Sequence, residues 1–229
     1  SALLAGIFFM IPAGAVKTTL TDPALLYSMR LSIITTFIST ALSILVAVPS
    51  GYVLSRRRFP GHFVLDNVLD LPIVLPPLVM GLAILIFFNS SAGRFLDRGL
   101  VKEGIFLYHA PGIVLVQFVI GCAFAVRVIK AGFDGLDPTL EEVAMTLGAG
   151  PGRTFFKVTV PNIMPSLVAG VVITWARVFG LFGPILMVCG TMRFRTEIMP
   201  TSIFLETSIG RLEVAMVISA CMVIISMTT

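Results

Sequence analysis

The sequence predicts an all-α, polytopic membrane protein of about six transmembrane helices, and three observations carry that reading. Mean hydropathy is +1.02, 57% of the residues are hydrophobic, and 12% are charged, against about 25% in ordinary soluble domains. The apolar runs are too long and too continuous to be core strands. The length, 229 residues, leaves room for about six spans of roughly 20 residues each in a single domain over 1–229. A net charge of +4 fits basic anchoring loops and is too mild for a nucleic-acid partner. Cys122, Cys189 and Cys221 are odd in number, widely spaced and set among apolar residues, so they read as free buried thiols rather than a disulfide or metal site. No cofactor is implied.

Taken in order, residues 3–16 (LLAGIFFMIPAGAV) read as a first span trimmed at its start, in preference to a leader ending at Ala13-Gly14-Ala15. The missing initiator Met and the stop at Thr229 inside an apolar run read as two cut ends. GAVKTT (14–19) echoes a phosphate-binding loop but lacks the glycine before the lysine, and is set aside. After Thr21-Asp22-Pro23, a second span runs from about Leu25 to Ser55 and ends in Arg56-Arg57-Arg58, a positive-inside signal or a headgroup anchor. The third, about Val68–Phe88, carries Pro72, Pro76 and Pro77. Proline breaks the hydrogen-bond ladder, so this helix is expected to kink against a polar pathway or simply for packing.

Residues 89–109 form a polar loop with room for a short helix. The sequon Asn89-Ser90-Ser91 carries little weight without a secretory context. A fourth span covers about Ala110–Lys130, a fifth about Asn162–Cys189, then a loop with Arg193, Arg195, Glu197 and Glu206, and a last span from near Arg211. Lys and Arg are divided almost evenly between the two sets of loops, but alternation puts the Arg56–Arg58 loop and the 131–161 loop on the same side.

The 131–161 loop is neither apolar throughout nor a short turn. Asp137 is a good N-cap, Pro138 suits the first helical position, and Glu141 and Glu142 favour the positive end of the helix dipole. A helix over 138–147 follows, with Leu140, Val143 or Ala144, and Leu147 giving an apolar face and Gly148 a left-handed stop. After GAGPG, residues 153–158 predict a second short helix with Phe155 and Phe156 projecting and Pro161 closing it. Such apolar side chains standing in water need a covering partner, or else the loop rests on lipid headgroups.

Glu142-Val143-Ala144, three residues, Gly148, nine residues, then Val158-Thr159-Val160-Pro161 resembles the EAA loop of ABC importer permeases, with Val143 in place of its first alanine. The resemblance implies a cytoplasmic coupling helix seated in an ATPase subunit, with Leu140, Glu141, Glu142, Ala144, Leu147, Gly148, Phe155, Phe156 and Pro161 as coupling residues. Together with residues 65–81 (LDNVLDLPIVLPPLVMG) and 175–190 (WARVFGLFGPILMVCG), the chain is similar to the molybdate/tungstate permeases and their sulfate-transporting relatives. Many members have a glutamate in GEFG where Leu181 gives GLFG here, so any role of that acid does not carry over. The resemblance implies a second copy of the chain as a homodimer, an ABC ATPase, an extracytoplasmic oxyanion-binding protein, and a place in the cell (plasma or inner) membrane within the lipid bilayer.

A tetrahedral dianion needs donors and positive potential on its way through hydrocarbon. Arg177 in the fifth span is the leading pathway candidate, with Arg30 and Arg127 weaker; a snorkelling or capping role is the alternative for Arg177. Gly180, Phe182 and Gly183, with Pro184, would loosen the same helix into a constriction or serve packing alone. A secondary transporter would show internal repeats and ionisable relays, and neither is visible. An enzyme would need a constellation such as HExxH, whereas His62 and His109 read as isolated loop residues. Composition alone also suits a receptor or structural subunit, which would not need the EAA spacing.

Overall fold

The computed structural model of the chain describes residues 19–57, 60–98 and 104–228. The span expected over 3–16, nearly all of GAVKTT, and Arg58, Phe59, Lys102 and Glu103 lie outside the described residues. Among the described residues there is no strand.

The first helix, α1 (Pro23–Arg56), matches the expected second span. Pro23 stands at its first position, and the Asp22 carboxylate accepts a hydrogen bond from the Ala24 amide at 2.9 Å, which caps it. The expected third span is instead two helices, α2 (His62–Val74) and α3 (Pro77–Asn89). Each proline forces the residue before it out of the helical region, and here two act in series: Leu75 has ψ 140° and Pro76 ψ 136°. Two consecutive extended residues end one helix rather than kink it. Pro77 then starts the next, where its missing N–H costs nothing.

The polar loop contains α4 (Ser91–Arg98), and the fourth span is α5 (Ala110–Asp134), one turn longer than expected. Next come α6 (Thr139–Thr146) and α7 (Pro151–Asn162), a helical run whose middle, Phe155–Thr159, winds as a π-helix. Pro161 stands in the last turn of α7, which ends one residue later at Asn162. In the π turn the Val160 amide reaches back five residues to the Phe155 carbonyl, and the proline that follows has no N–H to place. The chain bends by 70° at Ile163 into α8 (Met164–Phe179).

The expected fifth span is likewise cut. Residues 180–182 are not helical, and α9 (Gly183–Cys189) begins afresh with Pro184 in its first turn. The segment read as a loop after it holds a helix buried over its first half, α10 (Met199–Ile209), followed by α11 (Leu212–Met227). By length and apolar character, α1 and α5 each suffice to cross a membrane among the described residues. Counting α2 with α3 and α7 with α8 as broken spans raises that to four, short of the six expected.

Contacts divide the described residues into two compact units, one drawn from 1–39, 76–117 and 176–229, the other from 40–75 and 118–175. In the first, α3 packs on α9 and α10 on α11. Hydroxyls from α1 make its polar seam: the one Ser39 hydroxyl proton is shared between the Val114 carbonyl and Gln117 Oε1, each 3.1 Å from Oγ, and Ser32 Oγ accepts from the Met199 amide at 2.8 Å. The second has its core in Ala47, Leu54, Ala125, Val126, Ile129, Phe133 and Ile163. There α2 is tied to α5 by Lys130–Asp66 at 2.6 Å and Arg127–Asp70 at 3.2 Å, so Arg127 belongs to an ion pair. Cys189 is buried, Cys122 and Cys221 half-buried, and all three are free thiols.

The α3–α9 contact depends on Gly81, where an added Cβ would lie 2.6 Å from Pro184 Cα, a backbone atom that has no flexible end to move aside. Gly81→Ala is expected to destabilise the first unit by about 1–3 kcal/mol, the range for overpacking a closed contact. A fall in thermal midpoint of the detergent-solubilised protein checks this, with Gly150→Ala, where nothing lies within 4 Å of the new carbon, as the tolerated control.

Candidate functional site

Two constellations emerge, one in each unit. In the second unit, α6 is a short helix defined at both ends. Asp137 Oδ1 accepts from the Thr139 amide at 2.9 Å, and this bond, with help from the Thr139 hydroxyl, holds the Asp137 carboxyl below its usual range. At the other end Gly148 takes φ +89°, its amide bonds the Met145 carbonyl at 3.0 Å and the Ala149 amide bonds the Ala144 carbonyl at 3.0 Å. This pair of bonds is a Schellman cap.

The α6 side chains diverge. Leu140, Val143, Met145 and Leu147 are exposed, Leu147 to 83%, and Glu142 is exposed beside them while Ala144 is half-covered. Glu141 turns the other way and is only 7% exposed. Its Oε1 accepts from Arg56 Nε at 3.1 Å and its Oε2 from the Tyr52 hydroxyl at 3.0 Å. Arg56 also donates from Nη2 to the Leu136 carbonyl at 3.1 Å.

The two phenylalanines expected to project together also separate. Phe156 is 71% exposed, whereas Phe155 is half-buried with its ring 4.9 Å from Tyr52 and 6.4 Å from Phe133. Consecutive helical residues point about 100° apart, which lets one ring of the pair turn into the unit while the other faces outward. Pro161 is exposed on α7. Beside the exposed face runs an open groove of about 290 Å³ lined by Ala144, Leu147, Gly148, Ala149, Arg153, Lys157 and Val158.

The other constellation lies in the first unit, where both helix breaks meet an open cavity of about 390 Å³. Pro76, Pro77 and Leu78 line it with Arg177, Gly180, Leu181, Phe182 and Gly183. Six of the seven pathway candidates are thus brought together: Pro76, Pro77, Arg177, Gly180, Phe182 and Gly183. Pro72 is not among them; it sits half-buried inside α2. Arg177 is exposed, Phe182 packs against Phe204 with ring centroids 5.4 Å apart, and Gly183 is closed over by Leu78, 2.9 Å from where a Cβ would stand.

Sequence reading missed Tyr52 and the pairing of Arg56 with Glu141; the only signal was the expectation that the Arg56–Arg58 loop and the 131–161 loop share a side. The two histidines are not isolated. His62 Nε2 donates to the Leu54 carbonyl at 2.8 Å. His109 Nδ1 lies 2.7 Å from the Leu107 carbonyl and its Nε2 lies 2.7 Å from Arg195 Nη2, a geometry that puts the proton on Nδ1.

Comparison with known proteins follows the same lines. The profile of a family described as "Binding-protein-dependent transport system inner membrane component" matches residues 39–229. The chain is 38% identical over 174 residues to the molybdate/tungstate transport system permease protein WtpB of Pyrococcus furiosus, covering 76% of this chain and 64% of that protein, so it spans just under two thirds of that relative. It is 35% identical over 199 residues to the molybdenum transport system permease protein ModB of Escherichia coli, covering 81% of this chain and 80% of that one. It is 31% identical over 189 residues to the E. coli sulfate transport system permease protein CysT, covering 82% of this chain and 67% of that one. Among solved structures, a bacterial alginate ABC importer superposes with TM-score 0.77 at 14% identity over 95% of this chain and 80% of that one. The inward-facing MetNI methionine ABC transporter gives 0.71 at 16% over 89% and 90%. At such identities the likeness is one of fold.

The capped ends of α6 yield a prediction. Gly148→Ala places a β-carbon on a left-handed residue and is expected to loosen α6 by about 1 kcal/mol, although no atom obstructs the new group. Because the Asp137 carboxyl is held low in the folded chain, its capping contribution is full above the ordinary carboxylate pKa near 4 and is lost as pH falls through the folded value. Amide-exchange protection over 139–149, corrected for intrinsic rates, should drop in Gly148→Ala at neutral pH. In the parent chain it should weaken below about pH 4, and Asp137→Asn should flatten that acid limb.

Proposed function

The chain belongs to the family of binding-protein-dependent transport system inner membrane components, the membrane subunits of ABC transporters, and on that premise we propose that it conducts a tetrahedral oxyanion, molybdate or tungstate first. The observation that supports a coupling role is α6. A capped, eight-residue helix presents Leu140, Val143 and Leu147 to solvent at the spacing of the EAA loop, which suits a surface covered by an ATPase. On this reading α6 and α7 are cytoplasmic, ATP is hydrolysed on the partner subunit, and an extracytoplasmic binding protein delivers the anion.

Residues 1–229 then act as one permease domain with six spans, two of them interrupted. The protein works as a homodimer, since one such bundle offers a single wall to a pore. Support for an oxyanion cargo comes from the molybdate, tungstate and sulfate relatives and from the cavity beside Arg177. A cation next to interrupted backbone is an arrangement that receives an anion in a membrane without holding it permanently. The 31% identity to CysT keeps sulfate as the second reading.

Purified from cells that make the whole transporter and placed in vesicles with its binding protein, the chain should bring an ATPase with it and support vanadate-sensitive uptake of labelled molybdate. Excess tungstate should compete and sulfate compete weakly; the reverse order would move the assignment to sulfate. Arg177→Ala should slow uptake about tenfold or more without displacing the ATPase, the loss expected for one charge-assisted hydrogen bond of about 1.5–3 kcal/mol. Undiminished uptake in that variant removes Arg177 from the pathway.

A further inference from the structure

We propose that Glu141 is a positioning residue that carries force from α6 into α1, and not a contact for the ATPase; this rests on the coupling role given to α6 above. Glu141 and Glu142 are adjacent acids with opposite fates. One is buried to 7% exposure and paired, the other stands in solvent.

A helix of eight residues is too short to hold its shape alone, and α6 gains little from apolar burial because its large side chains are exposed. It packs on α7, and what ties it to α1 is the Glu141 carboxylate. Both oxygens are occupied, by Arg56 and by the Tyr52 hydroxyl, and those two partners stand one turn apart at the end of α1. Arg56 simultaneously grips the Leu136 carbonyl just ahead of α6. The Tyr52 ring lies edge-on to Phe133 of α5, at 5.4 Å, and to Phe155 of α7. A single node therefore ties the ends of α1 and α5 to α6 and α7.

A buried ion pair adds little net stability, since desolvation offsets the attraction, and its best-attested use is to fix register. Here it fixes the register of α6 against α1. Displacement of α6 by a partner has to drag the end of α1 with it as long as the pair is closed. With the pair open, α6 can remain seated on the ATPase while α1 stays behind.

The test uses the complete transporter in vesicles and reads ATPase retention, ATP hydrolysis and anion uptake side by side. Glu141→Gln should keep the ATPase bound and hydrolysis within about twofold, yet cut uptake about tenfold, so that ATP spent per anion rises by the same factor. Tyr52→Phe, which deletes one hydroxyl and leaves the ring packing, should raise that ratio about threefold with an unchanged melting temperature. The exchange Arg56→Glu with Glu141→Arg should bring the ratio back toward the parent value. Glu142→Gln should instead release the ATPase. If Glu141→Gln releases the ATPase as Glu142→Gln does, or leaves the ratio unmoved in company with Tyr52→Phe, the transmission role is wrong while the coupling role of α6 stands. If the parent chain retains no ATPase, the coupling role itself fails and this inference falls with it.

Discussion

Inside hydrocarbon, a backbone amide or carbonyl that is not bonded within the chain has no water to turn to, and the organisation of this protein follows from that constraint. Helices run unbroken where they can, as α1 and α5 do. They break where proline or glycine makes the ladder impossible to continue, and such breaks are tolerable only against protein or a polar cavity. It is therefore physically coherent that the break before Pro77 and the break at residues 180–182 line one cavity in the first unit, with Arg177 beside them. Interrupted backbone and a cationic side chain call for the same polar environment, and placing them together means that environment is built once.

The second unit meets a different demand, the stable presentation of a small exposed helix. Propensity cannot supply it at eight residues. The chain uses local chemistry at the ends, an aspartate before and a glycine after, and one long-range anchor in the middle. Gly148 serves because only glycine takes φ near +90° without a β-carbon penalty. Arg56 serves because its planar fork can hold a carboxylate and a carbonyl at once, which a lysine ammonium does with less directional control.

What could be read from the sequence divides along the same line. The limits of α6, its two caps and the exposure of Leu140 and Leu147 depend on neighbours in sequence, and they were legible there; near Pro76 the sequence pointed to a kink where the structure has a full break. The direction of Glu141 was not, because its partners Tyr52 and Arg56 lie 89 and 85 residues away. Helix α10 was hidden for a related reason. Arg193, Glu197 and Glu206 look like loop residues until the fold brings Arg193 and Arg211 to Glu206, and Ser202 to Glu197. The grouping of Pro76 and Pro77 with Gly180 and Gly183 was foreseeable only as a shared suspicion about each, since nothing local says that residues a hundred positions apart line one space.

The first helix shows how far the solvent reverses the usual rules. On α1 the buried positions include Ser28, Ser32, Thr35, Thr36 and Ser39, while Ile33, Phe37 and Leu45 are exposed, Phe37 to 69% and Leu45 to 71%. In water that arrangement would be inside out. In a bilayer, exposed apolar surface matches the lipid chains, and small hydroxylated side chains let helices approach closely and bond across the contact, as Ser39 does with Gln117. Two of these hydroxyls are satisfied within the helix itself: Ser28 and Thr35 donate to carbonyls one turn back. The serine and threonine spacing on this helix thus marks its protein-facing side, and the large apolar residues mark the side that faces lipid or another apolar surface.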